Sequence, residues 1–201
     1  MFWDMFKNTY VDHAGEKVDL APIARDAIRR LGLFKPKQSR WLAAMVAKDF
    51  NKGSRAIASA MRKRGRAMAI EERKAAGLGR AMMGDDLWSR LNPNDRDNVA
   101  DRLVLIINRI CIHAYRQGKY KQMEREGGPG YGVHSDEIVI ENPGDLHPPC
   151  HAVKKRWLGR TVRFRKCPQL PLRRCDAAIC HCNITPAWLV GSGSRRVRKR
   201  R

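Results

Sequence analysis

The chain has 201 residues and a mass of 23.0 kDa, and its 41 Lys and Arg against 20 Asp and Glu give a formal net charge of +21. An apolar content of 43% supports a real core and excludes wholesale disorder, and the absence of any run of about 18 apolar residues excludes a transmembrane helix. A pI near 10.5 points to a polyanionic partner, nucleic acid or an anionic membrane surface. The opening MFWDMFK has no basic stretch ahead of an apolar one and no small-residue cleavage site, so it is not read as a secretory signal.

The first half reads as helix. Asp19 caps a first helix with Pro22 in its opening turn, a stripe of Ile23, Ala24, Ala27, Ile28 and Leu31, and Gly32 at its end. Lys35-Pro36 opens a second, with Trp41, Leu42, Met45, Val46 and Phe50 on one side, and Asn51-Lys52-Gly53 stops it. Ser54 caps a third, with Ile57, Ala58, Ala60 and Met61 inward and Arg55, Arg62, Lys63 and Arg64 outward. A fourth spans about 67–83, and Gly77 and Gly79 blur its end. Asn92-Pro93 starts the clearest helix, where Val99, Leu103, Ile106, Ile107, Ile110 and Ala114 keep one face. Leu105 and Ile112 add a second apolar face, which predicts a central position. Cys111 and His113 on this helix read as core residues.

The pattern changes at Gly127–Gly132, a linker or wide turn. Glu137–Glu141 is a short strand, 142–145 a turn, and Thr161–Arg165 a second strand. Trp157, Phe164 and Trp188 interleave with basic residues there, either to stack on bases or to form a small core. Residues 191–201 end in an arginine run and read as disordered.

Charge is unevenly spread: +4 over 1–53, +6 over 54–83, +1 over 84–126, −4 over 127–150 and +14 over 151–201. The last value exceeds what solubility needs. It puts Lys154, Lys155, Arg156, Arg163, Arg165, Arg173, Arg174, Arg195, Arg196 and Arg198 beside Arg55, Arg62, Lys63 and Arg64 as candidate phosphate contacts.

Cys150, Cys167, Cys175, Cys180 and Cys182 fall in the last 52 residues. Without a secretion signal, clustered thiols point to a soft metal, zinc first, rather than to disulfides. Cys175, Cys180 and Cys182 are the firmest ligands, and Cys150 or Cys167 supplies the fourth. His147 and His151 are substitutes, and a set of reduced thiols is the simpler alternative. The run Leu170-Pro171-Leu172-x2-Cys175-Asp176-x3-Cys180-x-Cys182, with Cys150 upstream, resembles a cysteine-rich carboxyl-terminal module of uncharacterised proteobacterial proteins. The resemblance implies Cys150 as fourth ligand, a bacterial cytoplasm and a natural basic tail. The chain departs from it at Asn183–Pro186, where His and Asp are expected.

Residues 40–65 have the layout of a helix-turn-helix, or of an ordinary helical hairpin with a charged face. Ser54, Arg55, Ser59, Arg62 and Lys63 then face DNA. Asn108, His113 and Tyr115, with the strand and Asn142-Pro143-Gly144, are similar to part of a GHKL-type ATPase domain. His134 with Asp136, and His147 with Asp145, are acid–base pairs or plain surface residues. No nucleotide-binding or nucleophile motif occurs, so an enzyme is the weaker expectation.

The expected fold class is mainly α. A helical domain (1–126) is followed by a linker (127–132), a small loop-rich α+β module stapled by metal (133–190) and the tail (191–201). The expected function is zinc-dependent nucleic-acid binding, DNA or RNA, in the cytoplasm. The alternatives are a scaffold subunit docking an acidic protein and a degenerate GHKL-like ATPase.

Overall fold

The structure is a computed structural model and describes residues 2–4, 9–11, 18–76, 78, 82–125, 137–141, 157, 159–163, 166, 168 and 182–186. The chain forms two compact units, Met1–Gly118 and Lys119–Arg201. Among the described residues the structure is mostly helical, and no helix is long and apolar enough to cross a membrane.

The first unit opens with a two-stranded antiparallel ribbon, β1 (Phe2–Asp4) and β2 (Thr9–Val11), which the helical reading of the first half does not anticipate. Helix α1 (Ala21–Leu31) follows, with Ile23, Ala24, Ala27 and Ile28 buried as its spacing predicts. The Asp19 carboxylate accepts from the Ala21 N–H at 2.9 Å, although Leu20 holds the formal cap position. Gly32 ends the helix at a φ of 66° and donates to the Ile28 carbonyl. Phe34 N–H then donates to the Gly32 carbonyl at 2.9 Å, closing a three-residue turn around Leu33 at a φ of 70°. That backbone is strained for a leucine, and complete burial of its side chain offsets the strain.

A single 3-10 turn at Pro36–Gln38 leads into α2 (Ser39–Lys48). A second 3-10 turn (Phe50–Lys52) and Gly53 lead into α3 (Ser54–Arg62). The fourth expected helix, 67–83, is shorter than its composition suggests: α4 covers only Ile70–Ala75. Ala67 instead forms an isolated bridge with Gly84, and Met68 N–H donates to the Met83 carbonyl at 2.9 Å. Helix α5 (Asp85–Arg90) starts from this bridge. Gly84 is required there, because a Cβ would overlap the Arg64 carbonyl.

Asn92-Pro93 opens a 3-10 turn (Pro93–Asp95) rather than the long helix itself, and the Asn92 side chain accepts from Asn94 N–H. Asn98 then takes a left-handed φ of 46°, which asparagine tolerates, and α6 runs from Val99 to Arg125. Val99, Leu103, Ile106, Ile107, Ile110 and Ala114 are all buried and meet the inward faces of α1, α2, α3 and α5 in one core. Leu105 and Ile112 are half-buried.

One core feature is not apolar. Arg109 is fully buried on α6, and its Nη2 donates to Asp26 of α1 at 3.2 Å. Asp26 also accepts from Arg29 at 2.7 Å and from Arg30 at 3.0 Å. Burial alone would raise the Asp26 pKa, but hydrogen bonds from these three guanidinium groups outweigh it and hold the carboxyl below its ordinary value. Arg102 of α6 caps the end of α1, donating to the Leu31 carbonyl at 3.0 Å while pairing with Asp95 and Asp97.

In the second unit, β3 (Glu137–Glu141) is the centre of a three-stranded antiparallel sheet of order β4-β3-β5. The β3 limits match the expectation. The next strand, β4, is Thr161–Arg163. The last two residues of the expected strand, 164–165, lie outside the described residues, as do the linker 127–132 and the tail 191–201. β5 (Asn183–Pro186) occupies the stretch where the sequence departs from the proteobacterial pattern. Ile140 and Ile184 are register partners across β3 and β5 and both are buried.

Candidate nucleic-acid interface

Residues 35–66 hold ten basic side chains and a single acid, Asp49. The fold separates these cations into those it uses and those it leaves available. Helix α3 is fixed by Ile57, Ala58 and Met61, which are buried, while Leu42 and Val46 of α2 are buried in the same core. Gly53 makes the turn possible at a φ of 79°, and Lys52 pairs with Asp49 at 2.8 Å. Ala60, expected inward, is exposed. It lies about 100° around the helix from the middle of the Ile57–Ala58–Met61 face, at 100° per residue. Ser54 is the first helical residue rather than the cap, a position held by Gly53 without a side-chain hydrogen bond.

Arg40 and Lys48 of α2, Arg55 of α3 and Lys63 just past it are exposed, and among the described residues their side chains make no hydrogen bond or ion pair. Arg55 stands in the first turn of α3, which has no acidic residue. A cation there opposes the helix dipole, so its placement does not serve the stability of the helix.

Arg62 departs from the outward expectation, whereas Arg64 is exposed as expected but engaged by an acid. Arg62 is half-buried, and its Nε is enclosed without a hydrogen-bond partner. Arg64 reaches Asp86 of α5 at 3.3 Å. Asp86 also receives Arg90 at 2.8 Å, and Arg90 in turn lies 4.5 Å above the Trp41 ring. Burial would raise the Asp86 pKa, but the bonds from Arg90 and Arg64 win and lower it. Arg64 and Arg90 are therefore partly neutralised within the fold.

Immediately beyond α3 the surface opens into a cavity of about 480 Å³ between α4 and α5. Arg66, Met68, Glu72, Ala75, Trp88 and Arg96 line it. Arg66 bridges Glu72 at 3.2 Å and Asp85 at 3.7 Å, and the Arg96 guanidinium lies 4.2 Å from the centre of the Trp88 ring. None of these groups stands out in the sequence except as a member of a charged or helical stretch. The spacing Trp88…Arg96 is unreadable as a pair because a helix end and a 3-10 turn intervene.

Of the basic residues expected in the second unit, Arg163 is exposed on β4, at the register position opposite Glu137. Lys154, Lys155, Arg156, Arg165, Arg173, Arg174, Arg195, Arg196 and Arg198 lie outside the described residues. So do Cys150, Cys167, Cys175 and Cys180. Cys182 is buried, two residues before the buried Ile184. Among the described residues no group of three or more His, Cys, Asp or Glu could hold a metal ion. Cys111 packs against the core of the first unit, where burial pushes its thiol up to about 12. His113 is buried, Asn108 half-buried and Tyr115 exposed, all on α6.

Comparison with protein-family models, curated proteins and solved structures finds no match to this chain.

Proposed function

We propose that this chain is a nucleic-acid-binding protein that holds phosphates with the outer surface of the α2–turn–α3 hairpin, and that its carboxyl-terminal cysteines bind zinc. One observation carries the first part: among the described residues the Arg40, Lys48, Arg55 and Lys63 side chains stay exposed and unpaired on a segment with one acid, while Asp26, Glu72, Asp85, Asp86, Asp95 and Asp97 are taken up in internal ion pairs. A polyanion meets free positive charge there rather than compensated charge. The uncapped start of α3, with Arg55 beside it, adds backbone N–H donors for a phosphate oxygen. The basic residues at 151–201 extend the same electrostatic attraction.

For zinc, the support is the donor chemistry. Cys175, Cys180 and Cys182, with Cys150 or Cys167, supply the four soft ligands a tetrahedral site takes. The buried position of Cys182 beside β5 suits a ligand that also staples a small sheet. The metal's part in this reading is structural.

The test is the salt dependence of binding to a 20-base-pair duplex, read by fluorescence anisotropy. Each lost phosphate contact lowers the slope of log K against log salt by about 0.9. Replacing both Arg55 and Lys63 by Ala is expected to flatten it by about 1.8 and to weaken binding uniformly across sequences. An unchanged slope removes the hairpin from the interface. Displacement of the duplex by an acidic protein but not by a second nucleic acid favours the scaffold reading instead.

A further inference from the structure

The cavity past the end of α3 is not needed to hold a duplex by its phosphates, and its lining has a different chemistry from the hairpin. Its floor and walls combine buried Met68, the methyl groups of Ala75 and Ala76, and the Trp88–Arg96 stack. The Arg96 guanidinium is a flat surface backed by an indole, and its Nε is enclosed without a hydrogen-bond partner. Flat guanidinium and aromatic surfaces are what unpaired bases stack on. The two carboxylates of the cavity, Glu72 and Asp85, are both engaged by Arg66, and Glu72 also accepts from the Ala69 N–H at 2.7 Å. A phosphate would meet them unfavourably, whereas the polar edge of a base can use such acceptors and the Arg66 donors. The volume of about 480 Å³ falls within the range of small-ligand sites, about 300–1,000 Å³.

The cavity also lies in the path of the backbone. Lys63, Arg64 and Arg66 lead from the end of α3 to its rim, and Gly65, at a φ of 82°, turns the chain between them. Arg66 N–H donates to Asp85 at 2.9 Å, and Gly84 N–H donates to the Arg62 carbonyl at 2.7 Å, so rim and helix end are tied together.

We propose that this cavity receives an unpaired base of a single-stranded nucleic acid whose phosphates are held by the exposed Lys63 at the end of α3, next to the rim. The inference rests on the nucleic-acid reading above and gives it a substrate class: strands with unstacked bases, bound in addition to the sequence-independent hold on phosphate.

The test compares three probes of equal phosphate number at one salt concentration: an oligothymidylate, the same backbone without bases, and a duplex. Wild-type protein is expected to bind the oligothymidylate about tenfold more tightly than the abasic strand, the ratio a single stacked base supplies. Ala75→Trp fills the cavity from the exposed side of α4, and Arg96→Met removes the planar group while keeping a chain of similar length over Trp88. Both variants should lower oligothymidylate affinity to the abasic level and leave duplex binding unchanged. Thermal melting shows that each is folded, and two independent variants protect the result against the failure of one. Equal wild-type affinity for the oligothymidylate and the abasic strand overturns the base site while leaving the phosphate reading standing. Folded variants that bind the oligothymidylate as wild type does overturn it as well. Failure of all three probes to bind overturns both readings.

Discussion

Removing Asp26 should destabilise the helical unit far more than its partly exposed position suggests. Arg109 is fully buried, and it pairs with Asp26 across α1 and α6 at 3.2 Å. Breaking a buried pair by deleting one partner costs about 3–5 kcal/mol, because the remaining charge stays in a poorly polarisable interior. The Asp26 side chain keeps 27% exposure, and water reaches that side of the pair, so the lower end applies: about 3 kcal/mol for Asp26→Ala. With an m value of about 2 kcal/mol/M, the urea midpoint falls by about 1.5 M. Arg109→Met removes the charge and refills its space with an apolar chain, and Asp26 keeps Arg29 and Arg30, so this variant should lie within about 1 kcal/mol of wild type. The double variant should then be more stable than Asp26→Ala alone, a coupling of about 2 kcal/mol. The pH dependence carries a sign. The folded Asp26 pKa lies below its ordinary 3.8, so the ionised carboxylate stabilises the fold above that pH. The contribution is lost as pH falls from 3.8 through the lower folded value. The gap between wild type and Asp26→Ala is therefore flat near neutrality and narrows in acid. Asp26→Ala within about 1 kcal/mol of wild type at neutral pH, or a double variant as unstable as the sum of the singles, refutes the account.

Two further outcomes follow from the packing. Gly84→Ala places a methyl group on the Arg64 carbonyl within the Ala67–Gly84 bridge, and should destabilise by about 2–3 kcal/mol in a urea melt; a loss below about 0.5 kcal/mol shows that the bridge yields easily. Cys111, with its thiol pushed up to about 12, has about one part in ten thousand as thiolate at pH 8. It should resist iodoacetamide in the native protein and react in urea, as read by mass spectrometry, and Cys111→Ser should leave zinc content unchanged while Cys182→Ser lowers it. Rapid native labelling of Cys111 contradicts its burial.

The long helix was legible because its apolar positions repeat over about four turns, and every expected position on its main face is buried. Helix α5 was not, since six residues with only Leu87 and Trp88 apolar are too few for a period to register. Gly84 followed by Asp85 and Asp86 was the usable signal, a cap position with acids in the first turn. The expected 67–83 helix joined residues that belong to two separate structures, a bridge and a short helix, because composition alone does not distinguish Ala and Met in a bridge from Ala and Met in a helix. Arg109 was legible only as the residue ending an apolar run. Its partner Asp26 lies 83 positions away, and no periodicity connects residues across that distance.

The same limit governs the charge. Summed along the sequence, residues 54–83 carry +6 and residues 84–126 only +1, which marks the first as an attractive surface and the second as neutral. In the folded unit these are not independent quantities. Asp85 and Asp86, counted in the second stretch, neutralise Arg66 and Arg64 of the first across the bridge that starts α5. Arg102 and Arg109 in the second stretch are themselves committed to Asp95, Asp97 and Asp26. What remains for a polyanion is shifted towards the third helix and the second helix before it, where the Arg40, Lys48, Arg55 and Lys63 side chains are exposed and, among the described residues, unpaired, and where the one acid of residues 35–66, Asp49, is held by Lys52. Because the electrostatic term in binding counts cations that meet phosphates rather than net charge per segment, the contrast between these neutralised and free arginines decides where a strand is held.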